Sequence, residues 1–163
     1  MTDLIPGMQA PDFEADVVGG RFGLEGGRVR LSDLRGVSVV LYFYPKDDTP
    51  GCTTQACALR DKWQSLVKPD VEFFGVSVDP LDSHRKFITK HKLPFALISD
   101  SDKTIVTAYG VWVEKSLYGK KFMGTERTTF VIRPDGRIKS VFRKVSPDEH
   151  ADILLDDFAD FKP

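Results

Sequence analysis

Hydrophobic positions along the chain fall into short blocks with two alternating periodicities. Val37 to Tyr44, "VSVVLYFY", is nearly all β-branched, aromatic or leucine and predicts a strand buried on both faces. After a Pro-Lys-Asp-Asp turn, "CTTQACALRDKWQSL" sets Ala56, Leu59, Trp63 and Leu66 at helical spacing. Val71–Asp79 reads as a second buried strand, and Leu81–Lys92 as a polar surface helix with few core anchors. "FALISD" predicts a short strand and "DKTIVTAYG" a short helix closed by Gly110. From Arg127 to Phe142, two strand runs flank Pro-Asp-Gly, a hairpin signal. "SPDEHADILLDDFADF" carries Ser146 as N-cap, Pro147 at the first helical position and Glu149 at the third, which predicts a terminal helix. Upstream, residues 12–36 are punctuated by glycine and suggest short strands or a hairpin. The order β-α-β-α-β-α-β-β-α argues for an α/β sheet covered by helices, with a hairpin added at one edge. Reactive groups in such sheets lie where strands end and helices begin.

Composition narrows the function. The 163 residues are expected to form one domain, residues 1–163, large enough to bury a core unaided. Twenty-three Lys and Arg against 24 Asp and Glu give a formal net charge of −1, which offers no footprint for nucleic acid or an anionic membrane. The opening "MTDLIPGMQAPDF" lacks a basic flank followed by an apolar run, so a signal peptide is not expected. No apolar run is long enough to span a bilayer, and the expected location is cytoplasmic. There, paired thiols are more often catalytic, redox-sensing or metal-binding than structural.

Both cysteines, Cys52 and Cys57, sit where the first buried strand hands over to a helix. With Thr49 at the N-cap and Pro50 at the first helical position, Cys52 falls in the first turn. Unpaired backbone N–H groups and the positive end of the helix dipole stabilise a thiolate there, and an exposed thiolate is what oxidants attack first. Cys57 is five residues on, about 7.5 Å of rise and roughly 140° of rotation, so the two Cα atoms lie about 8–9 Å apart on an intact helix. A disulfide tolerates at most about 7 Å. Either Cys57 is inert core filler, or the helix unwinds locally for it to reach an oxidised Cys52. Zinc is a poor fit, because His84, His91 and His150 are scattered in polar helical segments and read as solvated surface residues. Asp47 and Asp48 read as a solvated turn and helix-entry charge.

The segment "YFYPKDDTPGCTTQAC" closely resembles the active-site segment of peroxiredoxins, most of all the Q type or bacterioferritin comigratory protein subfamily. The family pattern P-x-x-x-T-x-x-C matches Pro45, Thr49 and Cys52, and a second cysteine five residues on, here Cys57, marks the Q type. "YGKKFMGTERTTFVIRPDGRI" resembles the later family segment whose arginine matches Arg127, while "LSDLRG", "GVSVD" and "FALISD" also fit. Gln55 stands where many relatives have Glu, and "VVGGRFGLEGGRVR" is longer than usual. The resemblance implies a thioredoxin-like fold: a central mixed sheet flanked by helices, with an N-terminal β-hairpin extension. It implies a cofactor-free, monomeric thiol peroxidase acting on hydrogen peroxide and alkyl hydroperoxides, with thioredoxin or a similar dithiol as reductant. Cys52 would be the peroxidatic thiol and Cys57 the resolving one. Arg127 and Thr49 would contact thiolate and peroxide, and Pro45 would shield the sulfur.

Chemically, attack of sulfur on one peroxide oxygen pushes negative charge onto the other, which the planar, permanently charged fork of Arg127 is suited to stabilise. Rival readings are a thioredoxin-type disulfide reductase, a non-enzymatic redox sensor and a catalytically silent structural domain.

Overall fold

A computed structural model describes residues 3–158. Along the chain the elements are β1 (Glu14–Gly19), β2 (Gly27–Arg30), β3 (Ser38–Phe43), α1 (Pro50–Asp61), α2 (Trp63–Leu66), β4 (Val71–Ser77), α3 (Leu81–His91), β5 (Ala96–Ser99), α4 (Thr104–Ala108), β6 (Trp112–Leu117), β7 (Lys120–Thr125), β8 (Thr128–Ile132), β9 (Ile138–Phe142) and α5 (His150–Phe158). Seven strands form one sheet in the order β2-β1-β5-β4-β3-β8-β9. β3, β4 and β5 run parallel, while β1 and β8 join them antiparallel, so the sheet is mixed. β1 and β2 make the expected N-terminal hairpin.

Strand β3 is buried throughout, as its apolar sequence predicts, and its side chains alternate between two cores. Val39, Leu41 and Phe43 enter one core with Phe74, Val76, Ile98 and Phe130, covered by Ile105 and Val106 of α4. Val40, Tyr42 and Tyr44 enter the other, with Cys52, Ala56 and Leu59 of α1, Phe87 and Ile88 of α3, and Leu154 of α5. Each large apolar side chain so buried contributes about 1.5–3 kcal/mol. The C-terminal end of β3 is thereby clamped from both sides, and the reactive segment begins there. Gly75 on β4 belongs to this packing: a Cβ there would lie 2.8 Å from ring carbons of Tyr42, so only glycine lets that ring lie across the strand.

Several expectations need correction. The helix predicted from Cys52 to Leu66 is two helices, because Lys62 leaves helical geometry at φ −103° and ψ 11°. Helix α3 is better anchored than a polar surface helix, since His84, Phe87 and Ile88 are buried. α5 starts at His150, after a turn in which the Ser146 carbonyl accepts from the Glu149 and His150 amides, while the Ser146 hydroxyl bonds Asp148. Its predicted end, residues 159–161, lies outside the described residues. A further hairpin, β6–β7, which no periodicity announces, turns through Tyr118 and Gly119, both at positive φ (52° and 77°). Among the described residues no helix is long and apolar enough to cross a membrane.

Candidate active site

The site is assembled where β3 runs into α1. Thr49 stands at the N-cap position with extended backbone, and Pro50 and Gly51 begin the helix. The Thr49 carbonyl accepts from the Thr53 amide, but its hydroxyl donates to the Lys46 carbonyl at 2.9 Å instead of capping. Cys52 follows in the first turn. It is 2% exposed, so the expectation of an open thiolate is corrected: the reduced sulfur is covered by the second core. Cys57 is half-buried, and both cysteines are free thiols. Pro45 is half-buried at the end of β3.

Arg127, just ahead of β8, reaches across to this helix start. Its Nη2 donates to Cys52 Sγ at 3.5 Å, and its Nη1 donates to Gln55 Oε1 at 2.6 Å. Gly51 makes room for it, since a Cβ there would lie 3.1 Å from Nη2. Gln55 is thus the side chain that aims the guanidinium. With Oε1 turned toward Arg127, its amide nitrogen faces His150 Nδ1 at 3.0 Å. An amide nitrogen only donates, so Nδ1 is unprotonated, and Nε2 carries the hydrogen that it gives to Thr129 Oγ1 at 2.7 Å. Burial, then the charge of Arg127, pushes His150 down to about 3, so the ring is neutral. Cys52, Arg127, Gln55, His150 and Thr129 form one hydrogen-bonded chain with a single consistent proton placement.

A second network holds the Pro45–Thr49 turn. Asp47 Oδ1 accepts from the Tyr44 hydroxyl at 2.6 Å, and Oδ2 accepts from Ser83 Oγ at 2.8 Å and from His84 Nδ1 at 2.7 Å. The Asp47 amide donates to Asp79 Oδ2, which also accepts from Ser77 Oγ. His84 Nε2 faces the Ile98 carbonyl at 3.0 Å, so both of its ring nitrogens meet acceptors. The facing atoms of Asp47, Asp79 and His84 lie within 4.8 Å of one another, and hydrogen bonds engage them all. Asp47, expected in solvent, is buried, and so are His84 and His150, each 0% exposed. Only His91 approaches the expected surface position, its side chain 17% exposed.

Beside Arg127 a cleft of about 420 Å³ opens to solvent, lined by Val113, Lys115, Glu126, Lys144 and Val145 among others. Burial, then the neighbouring guanidinium, lowers the pKa of Lys115, whose Nζ donates to the Thr125 carbonyl.

The structure therefore brings Cys52, Arg127 and the Thr49 turn together and adds Gln55, Gly51 and His150. Residues 6–141 match the model of the AhpC/TSA family. A putative peroxiredoxin bcp of Coxiella burnetii is 51% identical over 77% of this chain and 83% of its own length. Peroxiredoxin Bcp of Bacillus subtilis is 44% identical over 94% of each chain. Among solved structures, the bacterioferritin comigratory protein of Xanthomonas campestris, studied for alkyl peroxide reduction, superposes with a TM-score of 0.83 at 33% identity, covering 95% of this chain and 98% of its own. A Xylella fastidiosa PrxQ superposes with a TM-score of 0.86 at 30% identity, covering 98% of each.

Proposed function

The chain belongs to the AhpC/TSA family, in its peroxiredoxin Q or bacterioferritin comigratory protein branch, with a thioredoxin-like fold and thiol peroxidase activity, and from that premise we propose that Cys52 is the sulfur that attacks peroxide. The observation that carries the reading is the guanidinium of Arg127 on Cys52 Sγ, at the positive end of α1. Sulfur attacks one oxygen of the peroxide in line, the O–O bond breaks, and the departing oxygen leaves as water or alcohol once protonated. Cys52 becomes a sulfenic acid. Arg127, pre-aimed by Gln55, stabilises the charge that develops on the leaving oxygen, and it pays no reorganisation at that moment. The Thr49 hydroxyl lies in the same turn, where it orients the peroxide, and Pro45 shields the approach from water.

Hydrogen peroxide and alkyl hydroperoxides are the substrates. The cleft beside Arg127 accommodates an organic group, with Val113 and Val145 supplying apolar wall. Cys57 resolves the sulfenic acid. On the intact helix it stands about 8–9 Å from Cys52, beyond the reach of a disulfide, so the first turns of α1 unwind for the bond to form. Thr53 and Thr54, poor helix formers, lower the cost of that unwinding. Thioredoxin or a similar dithiol then regenerates both thiols by exchange.

A turnover assay tests this reading. With excess dithiol the protein is expected to consume many equivalents of hydrogen peroxide, and Cys52→Ser none. Consumption that stops near one equivalent supports a redox sensor instead, and reduction of a protein disulfide without peroxide consumption supports a thioredoxin-type reductase.

A further inference from the structure

The thiol of Cys57 points at the last turn of α3, where its Sγ lies 3.8 Å from His91 Nδ1. The other ring nitrogen, Nε2, lies 3.1 Å from Asp48 Oδ1. An ionised carboxylate only accepts, so Nε2 holds the hydrogen, and in the neutral ring Nδ1 then presents its lone pair to the thiol. Asp48 is itself fixed. Its Oδ2 accepts from Lys90 Nζ at 2.8 Å, and hydrogen bonds from Lys90 and His91 hold its carboxyl below the ordinary range. Sulfur, imidazole and carboxylate thus stand in line, the arrangement by which a base oriented by a third group activates a nucleophile.

We propose that His91, oriented by Asp48, is the general base that deprotonates Cys57 for its attack on oxidised Cys52. The inference rests on the reading of Cys57 as the resolving thiol. Nδ1 takes the thiol proton, and the sulfur electron pair forms the S–S bond as the S–O bond of the Cys52 sulfenic acid breaks. The departing oxygen acquires the proton that His91 took up. Thiol and sulfenic acid give disulfide and water, with no outside oxidant. His91 touches a reacting atom and is in that sense catalytic.

The anchoring around His91 suits this role. Arg60 Nη1 donates to the His91 carbonyl at 2.8 Å, which ties the Cys57 end of α1 to α3. Asp48 ties the entry turn to the same place through Lys90 and His91. The segment that unwinds, residues 49–56, is held at both ends, so Cys52 travels to Cys57 while Cys57 stays beside its base. Around the imidazole stand Asp48 from the entry turn, Cys57 from α1, and on α3 the edge-on ring of Phe87 together with Lys90, which acts through Asp48, while Arg60 of α1 bonds the His91 carbonyl and lies beside the Cys57 sulfur.

Rapid-quench oxidation with one equivalent of hydrogen peroxide, trapped with dimedone and read by mass spectrometry, separates Cys52 oxidation from disulfide formation. In His91→Gln the ratio of the second rate to the first is expected to fall about 100-fold, the ordinary worth of a positioned base. Its resolution rate is then expected to climb steeply with pH, because only spontaneously formed thiolate reacts. The native rate is expected to be flatter over the same range, a difference that a purely structural role would not produce. Equal rates and equal pH profiles in the native protein and His91→Gln, with both forming the disulfide, overturn the proposal and leave Cys57 as resolving thiol. A native protein that forms no Cys52–Cys57 bond overturns the resolving reading itself, and this proposal with it. If His91→Gln does not fold, Asp48→Asn makes the comparison, since asparagine tolerates the positive φ of 59° there. Slowed resolution in that variant supports the proposal, and an unchanged rate overturns it.

Discussion

Acid is expected to act on this fold through His150. In the native state Gln55 donates to Nδ1, Nε2–H donates to Thr129, and burial holds the ring to about 3 against an ordinary 6.5. The unfolded chain takes up a proton as pH falls through 6.5, and the folded chain does not until near 3. Stability from this group is therefore fully present above 6.5 and lost on the way down, at about 1.4 kcal/mol per pH unit. At pH 5 the loss comes to roughly 2 kcal/mol. Asp100 opposes it: burial raises its carboxyl to about 6, so folding favours the protonated form and stability rises as pH falls below 6. By the same linkage this offsets about 1.4 kcal/mol at pH 5, and the native protein alone shows a shallow profile. The two groups are separated by comparing native protein with His150→Gln in urea unfolding at pH 7.5 and pH 5. Asp100 cancels in the difference, and the stability advantage of the native protein is expected to shrink by about 2 kcal/mol at the lower pH. An advantage that does not change with pH, or an imidazole 15N signal for residue 150 that titrates near 6.5, would refute the neutral-ring account and with it the proton placement that aims Arg127.

Three further outcomes are expected. Arg127→Gln removes the donor on sulfur and on the leaving oxygen, and the second-order rate of Cys52 oxidation by hydrogen peroxide, read by competition with a peroxidase of known rate, should fall about 10²–10³-fold. Gly51→Ala places a methyl 3.1 Å from Arg127 Nη2 at a helical position that favours alanine, so peroxidase kcat/KM should drop at least about tenfold while the thermal midpoint stays or rises. His84→Ala strips a fully buried partner from Asp47 and from the Ile98 carbonyl and should cost about 3–5 kcal/mol in urea unfolding, with lost activity as the Pro45–Thr49 turn loosens.

How far the sequence reached depends on what each segment's neighbours are. β3 and the start of α1 were legible because a doubly buried strand and a Thr-Pro helix entry are local signals. Cys52 was legible as an activated thiol from its place at the helix entry, but its peroxidatic role and the role of Arg127 came through family resemblance, since no local pattern links residues 75 positions apart. The buried histidines were misread as surface residues although the signal was present. His84 lies on the stripe of Leu81, Phe87 and Ile88, and His150 lies one turn before Leu154, so helical spacing already turns both inward. Their polarity suggested solvent, and the partners that make burial tolerable, Asp47, Gln55 and Thr129, come from distant segments. The break at Lys62 has no Gly or Pro to announce it. The β6–β7 hairpin escaped because only its base, Trp112 and Thr125, meets a core: Leu117, Tyr118, Phe122 and Met123 are exposed, which erases the alternation that marks a half-buried strand.

The most direct measurement is peptide mass mapping after graded hydrogen peroxide, run on native protein and Cys57→Ser. Oxygen is expected first on Cys52, followed in native protein by a Cys52–Cys57 crosslink with release of water, while Cys57→Ser halts at the Cys52 sulfenic acid. Oxygen appearing first on Cys57, or Cys52 staying unmodified while peroxide disappears, would contradict the assignment of the sulfur beside Arg127 as the atom that breaks the O–O bond.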